Sequence, residues 1–143
     1  MQKTLAIIKP DAVARGLTGR ILAHLEENGF TIRALRMMHL TEVQAREFYA
    51  VHRERPFYES LVRFMTSGPV VPVLLEADDA VARLRAVIGA TDPAEAAPGT
   101  VRALYAESKE RNAIHASDAP ETAARESAFF FATADALATG ATA

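Results

Sequence analysis

The pattern of apolar and polar positions predicts strands that alternate with helices from the start of the chain. Residues 5–8 form a short apolar run closed by Lys9-Pro10-Asp11, which is typical of a buried strand that ends in a turn. A helical stripe follows and ends at Asn28-Gly29, where glycine suits a left-handed C-cap. Residues 30–40 then alternate with a period of two, which predicts a second strand interrupted at Arg36.

The middle of the chain predicts helices on both sides of a third strand. Residues 41–44 have the form of a capping box that opens a helix, and Pro56 favours the first turn of the next one. Residues 70–75 form an apolar strand, in which Pro72 favours an edge position or a bulge because proline cannot donate to the ladder. Another amphipathic helix follows and ends at Gly89.

The C-terminal third is less regular. The proline and glycine content of residues 90–100 predicts a loop, and we expect a short helix at 108–111. A capping pattern at 118–121 predicts a helix that runs to about Ser127. The run Phe129-Phe130-Phe131 then predicts the last strand.

This order of elements predicts one domain over residues 1–143, of the α/β class and built as an α+β sandwich. A βαββαβ order gives a ferredoxin-like fold, in which helices cover one face of a four-stranded antiparallel sheet. The tail over 132–143 is rich in Ala and Thr and is expected to fray.

Composition and charge exclude several classes of protein. The 143 residues include 16 Lys+Arg and 18 Asp+Glu, a net charge of −2, which excludes a protein that mainly coats nucleic acid or an anionic membrane. The chain has no Cys, which excludes disulfides and thiol nucleophiles and favours a reducing compartment such as the cytoplasm. No apolar run approaches the length of about 18 residues that spans a membrane.

Common signatures of nucleotide and metal sites are missing. Residues 16–20 contain two glycines but lack the Gly-Lys-Ser/Thr ending of a P-loop, so we interpret these glycines as structural. Neither a His-Glu-x-x-His motif nor an EF-hand pattern occurs, so the sequence predicts no dedicated protein cage for a metal ion.

Four histidines are candidate nucleophiles or acid–base groups. We interpret His24, His39 and His52 as surface residues or spectators. His115 differs because it falls in an irregular stretch just before a predicted helix N-terminus, where free N–H groups and the helix dipole favour an anion. A structural role for this histidine is the alternative.

Cationic residues at predicted element ends form the second set of candidates, namely Lys9, Arg55, Arg85 and Arg102. Each by itself is more typical of an ordinary surface charge. Whether they converge on one pocket depends on the tertiary structure.

These segments together resemble a known family. Residues 112–118, Asn-Ala-Ile-His-Ala-Ser-Asp, resemble the Asn-x-x-His-Gly-Ser-Asp active-site motif of nucleoside diphosphate kinases. The resemblance extends in order along nearly the whole chain, through 5–11, 49–57, 64–71, 89–93, 98–102 and on to Glu126 and the phenylalanine-rich segment.

The resemblance implies an enzyme that moves the γ-phosphate of a nucleoside triphosphate, typically ATP, to a nucleoside diphosphate and so maintains cellular nucleotide pools. The family uses a ping-pong route through a phosphohistidine, and His115 stands in that position. By the same resemblance, Glu126 orients the histidine, Ser117 supports this arrangement, and Tyr49 helps to set the pocket.

The resemblance also implies a nucleotide-binding set. Phe57 stacks on the base, and Lys9 and Asn112 hold the sugar hydroxyl. Stacking discriminates little between bases, so broad base acceptance is expected. The groups expected around the β- and γ-phosphates are Arg55, Arg85, Thr91 and Arg102.

The implied cofactor is Mg²⁺, which would arrive on the nucleotide phosphates without direct protein ligands. A homo-oligomer, either a tetramer or a hexamer, is implied, with no membrane partner, no dedicated nucleic-acid surface and a cytoplasmic location. The alternative function is a catalytically weak nucleotide-binding or interaction protein that retains the fold. A ferredoxin-like regulatory domain without a nucleotide site is a third hypothesis.

Three positions depart from the family pattern. Ala116 replaces the glycine after the histidine, which would introduce strain only if the backbone there has a positive φ. Residues 103–105 lack the acidic residue that many members have, a change without a physical explanation. Pro72 lies in a strand that the family places inside the sheet, so we predict a local distortion or a position early in the strand.

Overall fold

The computed structural model of the chain describes residues 1–138. Within this part of the chain, four strands form one antiparallel sheet in the order β2-β3-β1-β4. The order of elements is βαββαβ, which confirms the predicted ferredoxin-like α+β architecture. The strands are β1 (Gln2–Ile8), β2 (Thr31–Leu35), β3 (Val71–Ala77) and β4 (Ile114–Ala116).

Eight helices connect and cover these strands in the described residues, together with two short 3-10 turns at Ala50–His52 and Pro93–Glu95. None of the helices within 1–138 is long and apolar enough to cross a membrane. The helices are α1 (Pro10–Ala14), α2 (Thr18–Glu27), α3 (Glu42–Phe48), α4 (Tyr58–Met65), α5 (Ala80–Ile88), α6 (Val101–Tyr105), α7 (Pro120–Phe130) and α8 (Thr133–Ala138).

Helices cover both faces of the sheet, so the expectation of a single covered face was wrong. The apolar run in β1 shows why, because successive side chains of a strand point to opposite faces. Leu5 and Ile7 pack with residues of α3, α4 and α7, whereas Ala6 and Ile8 pack with residues of α1, α2 and α5. A continuous apolar strand therefore marks burial on both sides.

Pro72 confirms the predicted local distortion, although β3 is an interior strand. It is the second residue of β3, and its carbonyl accepts from the Arg36 N–H at 3.2 Å. Proline has no N–H and cannot donate a hydrogen bond back to β2, so β2 ends at Leu35. Pairing resumes only as an isolated bridge between Met38 and Val70. The strand predicted over 30–40 is shortened for this reason.

The last strand was predicted in the wrong place. Phe129 and Phe130 belong to α7, where their rings pack 5.2 and 5.1 Å from Phe48. The position beside β1 is taken by β4, which places His115 opposite Ile7. A short apolar run does not by itself distinguish a strand from a buried helical turn.

The helix expected at 108–111 is also absent, and α6 at Val101–Tyr105 takes its place in this region. The Thr100 side chain caps α6 by accepting from the Ala103 N–H at 3.3 Å. In the tail, the part at Thr133–Ala138 is helical and buries Ala136, while residues 139–143 lie outside the described residues.

Candidate active site

A cavity of about 710 Å³ opens beside β4, at the end of β1. Its walls come from elements far apart in the sequence, which the sheet order brings together. Nine of the predicted site residues line it: Lys9, Tyr49, Phe57, Arg85, Thr91, Arg102, Asn112, His115 and Glu126.

His115 is the central residue of β4, so it lies in a strand and not in the irregular stretch that we predicted. Its Nε2 lies 2.8 Å from Glu126 Oε1, and because an ionised carboxylate can only accept, the ring N–H is the donor. The same carboxylate oxygen accepts from Ser117 Oγ at 2.8 Å. Because Nε2 carries the proton in this hydrogen bond, Nδ1 is the nitrogen that keeps a lone pair.

Glu126 stays ionised in this environment. Burial by itself would raise its pKa, but hydrogen bonds from His115 and Ser117 and the nearby Arg125 charge outweigh the burial and hold the pKa below its ordinary value. An ionised carboxylate can only accept hydrogen bonds, so it fixes the His115 tautomer.

Tyr49 places a protonated hydroxyl in the cavity wall. Its ring meets the His115 ring edge to face, with centroids 6.2 Å apart. Burial and the negative charge of Glu126 raise the pKa of Tyr49, so the hydroxyl remains protonated. This buried hydroxyl has no hydrogen-bond partner among the described residues, so its polar group is unsatisfied in this structure.

Two arginines are held beside β4 by backbone carbonyls. Arg102 donates to Gly89 O at 3.0 Å and to Ile114 O at 2.7 Å. Arg85 donates to Ala116 O at 3.4 Å. Burial and the neighbouring Arg85 charge lower the pKa of Arg102 to about 10. Because these bonds go to neutral carbonyls, the positive charge is available to an anion in the cavity.

Lys9 and Asn112 form a buried pair in the cavity wall. Lys9 Nζ donates to Asn112 Oδ1 at 2.9 Å, and Asn112 Nδ2 donates to the carbonyls of Thr91 and Lys109 at 3.2 and 3.0 Å. Burial, followed by repulsion from Arg102, lowers the pKa of Lys9 to about 8. Hydrogen bonds thus join the end of β1 to two loops of the cavity.

The backbone just before β4 is strained. Ala113 has a φ of 73°, a backbone angle that residues other than glycine rarely adopt. Asp11 Oδ2 accepts from the Ala113 N–H at 3.1 Å, and the Lys9 N–H donates to the Ala113 carbonyl at 2.9 Å. Lys9 and Asp11, at the start of α1 where the sequence predicted a turn, therefore hold the segment that carries His115, a role that sequence reasoning missed.

Ala116 causes no backbone strain. Asp79 and Ala113 are the non-glycine residues with a positive φ in the described part of the chain, so Ala116 keeps an ordinary strand conformation. Its position in the ladder is opposite Ala6. The methyl group that replaces the family glycine is therefore tolerated by the backbone.

Two predicted site residues do not line the cavity. Ser117 is fully buried and reaches the site only through Glu126. Arg55 lies in the turn before α4, where its N–H donates to His52 O at 2.8 Å and its carbonyl accepts from Tyr58 at 3.1 Å. The side chain of Arg55 is not part of the cavity wall.

Sequence reasoning missed several residues of the cavity wall. His52 was interpreted as a spectator, yet its ring lies 5.4 Å from Phe57 and 6.5 Å from Tyr49. No spacing links the missed residues, because they come from different elements. The missed residues that carry polar groups are His52, Lys109, Glu110, Asp118, Thr122 and Arg125.

Fold and cavity together define an α+β protein with a histidine site for an anionic ligand. The chain also matches the family model described as nucleoside diphosphate kinase, over residues 2–136.

The relatives and solved structures agree with this match. The chain is 61% identical to a nucleoside diphosphate kinase of Desulfovibrio desulfuricans over 131 residues, which cover 92% of this chain and 94% of that protein. It is 50% identical to the structure of the Aquifex aeolicus nucleoside diphosphate kinase, with a TM-score of 0.92 and coverage of 94% of this chain and 97% of that one.

A nucleoside diphosphate kinase of Halobacterium salinarum in complex with CDP is 40% identical, with a TM-score of 0.90 and coverage of 94% of this chain and 90% of that chain. The chain therefore belongs to the nucleoside diphosphate kinase family. It is a transferase and a kinase that acts on nucleotides.

Proposed function

We propose that the chain carries the γ-phosphate of a nucleoside triphosphate, typically ATP, to a nucleoside diphosphate in two steps through a phosphohistidine at His115. The observation that carries this proposal is the hydrogen bond of 2.8 Å between His115 and Glu126, which commits Nε2 and leaves Nδ1 as the nucleophile. Cycling between two nucleotides in one cavity would maintain cellular nucleotide pools.

In the first step, Nδ1 of His115 attacks the γ-phosphorus, the new N–P bond forms, and the bond to the β-phosphate oxygen breaks with its electron pair. The nucleoside diphosphate leaves, and a second one attacks the phosphohistidine with a terminal phosphate oxygen. The proton stays on Nε2 throughout, and the Glu126 carboxylate accepts its hydrogen bond and offsets the positive charge that develops on the imidazole.

Catalysis in this proposal depends on preorganised positive charge. We assign Arg85 and Arg102 to the transferring phosphoryl group, because their bonds to backbone carbonyls already hold them beside His115. Thr91 lines the same cavity, and its hydroxyl donates a hydrogen bond to a phosphate oxygen. Arg55 joins this set only by moving inward when nucleotide binds. Tyr49 supplies its buried hydroxyl beside the imidazole.

The nucleoside is held at the outer part of the cavity. Phe57 is 46% exposed and offers a ring face on which any base can stack, which supports broad base acceptance. Lys9 and Asn112 are joined by a hydrogen bond of 2.9 Å, and this pair binds the sugar hydroxyl through hydrogen bonds.

The residues of the cavity fit a magnesium ion that is bound to the nucleotide phosphates. The cavity wall holds three carboxylates, those of Glu110, Asp118 and Glu126. Glu126 accepts from His115 and Ser117, and Glu110 accepts from Ser60 at 2.8 Å, so Asp118 alone does not make a protein cage for a metal ion. Mg²⁺ keeps several waters and needs few protein ligands when phosphates supply the oxygens. When bound, it would draw negative charge from the phosphates during transfer.

We also propose that the working unit is a homo-oligomer, a tetramer or a hexamer, as the family resemblance implies. Light scattering at micromolar concentration distinguishes these from a monomer. The cytoplasmic location also stays a prediction, which fractionation of the source cells tests.

The test of the proposed function is transfer of label from ATP labelled at the γ-phosphate, in magnesium buffer. We expect an acid-labile, base-stable label on the protein that any nucleoside diphosphate removes. His115→Ala should fold and take up no label, whereas His24→Ala, a histidine outside the cavity wall, should label normally. Absence of label on the wild-type protein would reject the proposal.

The alternative of a catalytically weak binding protein was motivated by Ala116. The structure removes the reason for this alternative, because Ala116 has no positive φ and the hydrogen bond between His115 and Glu126 is present. Tight nucleotide binding without any phosphohistidine is the result that would favour this alternative.

A further inference from the structure

One hydrogen bond is not enough to fix the plane of the His115 ring. The bond to Glu126 holds Nε2 at 2.8 Å. Rotation about the bond that joins an imidazole to its Cβ has broad minima, so a ring held at one atom can still tilt. The direction of the Nδ1 lone pair therefore depends on what packs against the faces and edges of the ring.

Phe48 supplies such a contact. Its ring centroid lies 5.6 Å from that of His115, and the two rings meet at 73°, in an edge-to-face arrangement. Such pairs have a preferred relative orientation because the ring faces are electron-rich and the ring edges are electron-poor. This contact restrains the tilt of the imidazole ring, which the hydrogen bond to the Glu126 carboxylate leaves free.

Phe48 is itself held firmly. It is only 5% exposed, and its ring contacts Tyr49 at 4.9 Å, Phe130 at 5.1 Å and Phe129 at 5.2 Å. It is the last residue of α3, a helix whose first turn is closed by a capping box. A ring packed on several sides provides a rigid support for the imidazole.

We propose that Phe48 is a positioning residue for phosphoryl transfer, which holds the imidazole plane so that Nδ1 points along the line of attack. This inference rests on the proposed function of His115. The side chain of Phe48 touches the nucleophile and is not expected to touch the nucleotide, since it does not line the cavity.

The test compares Phe48→Leu with Phe129→Leu. Phe129 is a matched control, because its ring packs 5.2 Å from Phe48 but is 38% exposed and makes no ring contact with His115 that the structure shows. Single-turnover labelling of His115 measures the chemical step, and the dependence of its rate on nucleotide concentration separates binding from chemistry.

For Phe48→Leu we expect the rate of labelling at saturating nucleotide to fall by roughly tenfold to a hundredfold, because a small misplacement of a reacting group has an effect of that order. Nucleotide affinity should be unchanged. Nitrogen NMR of the His115 ring should show altered or broadened imidazole signals. Phe129→Leu should leave the rate, affinity and imidazole signals as in the wild-type protein.

Phe48→Met is a second variant in case the leucine does not fold, since methionine fills irregular core space with little strain. A wild-type labelling rate in either folded variant would overturn the inference, as would an equal loss in Phe129→Leu. Wild-type protein that takes up no label at all would instead reject the proposed function, so the two failures are distinguishable.

Discussion

The Nε2 of His115 donates to Oε1 of Glu126 over 2.8 Å, although the first residue lies in β4 and the second in α7. The turn between the two elements brings the helix back over the sheet edge, so its inward face meets the strand. This contact decides which imidazole nitrogen is free.

Replacing Glu126 by Gln tests this relationship. The amide keeps the shape of the side chain but removes the negative charge, so the developing imidazolium loses its counter-ion. We expect phosphohistidine formation to slow by at least about tenfold to a hundredfold, the loss seen when a carboxylate that orients a metal-bound histidine is replaced. Rapid-quench labelling measures the rate. Glu121→Gln, on the first turn of α7, should keep the wild-type rate, and a Glu126→Gln protein as fast as wild type would contradict the assignment.

Phe57→Ala should weaken nucleotide binding without changing the chemical step. Loss of base stacking costs about 1–3 kcal/mol per base, so we expect KM to rise roughly 5-fold to 150-fold while kcat is retained. Steady-state kinetics with a purine and a pyrimidine diphosphate should show similar losses. The exposed ring of Phe129 gives the control, since Phe129→Ala should leave KM unchanged. A loss confined to kcat would contradict the stacking role.

Lys9 should make stability depend on pH in the alkaline range. Burial lowers its pKa from 10.5 to about 8. Below pH 8 the amine is charged in both states. Between about pH 8 and pH 10.5 the unfolded chain binds a proton that the folded chain has released, so the free energy of unfolding rises with pH.

Denaturant titrations across this range measure that rise, which should be on the order of 1 kcal/mol or more. Lys9→Met should remove it. Lys109→Met, at a lysine whose side chain is 78% exposed, should retain it. The same rise in the Lys9→Met protein would show that another group is responsible.

Ala116→Gly should lower stability and leave activity intact. Glycine inside a strand loses more conformational freedom on folding, which costs roughly 0.5–1 kcal/mol relative to alanine. Ala116 has no positive φ, so the glycine relieves no strain. Chemical denaturation and steady-state kinetics provide the two measurements. A gain in stability, or a marked gain in kcat, would show that the methyl group does strain the site.

Local patterns were the successful part of prediction. The capping box of α3 forms between Thr41 and Gln44, with both hydrogen bonds present, because it depends only on residues three apart. The failures occurred where packing chose between two local possibilities. Phe129 and Phe130 suit a strand, but their place in an aromatic cluster around Phe48 made them helical.

In the candidate site, too, residue patterns predicted some features, whereas long-range packing decided others. Motif resemblance proposed His115, Glu126 and the cationic residues as site residues, since it depends on residue types and order, and all of these except Arg55 line the cavity. It did not point to Phe48 or Asp11, which contact the His115 segment from positions far away in the chain. Nor could it show that the side chain of Arg55 lies outside the cavity wall.

Residue types and their order predict most of the elements in sequence, the family, and His115 as the proposed nucleophile of a chain without Cys. The tertiary structure alone decided that β4 carries this imidazole, that Nδ1 is its free nitrogen, and that Arg85 and Arg102 bind neutral carbonyls. The physical reason is that these properties arise from contacts across the sheet order β2-β3-β1-β4, and local spacing carries no information about such contacts.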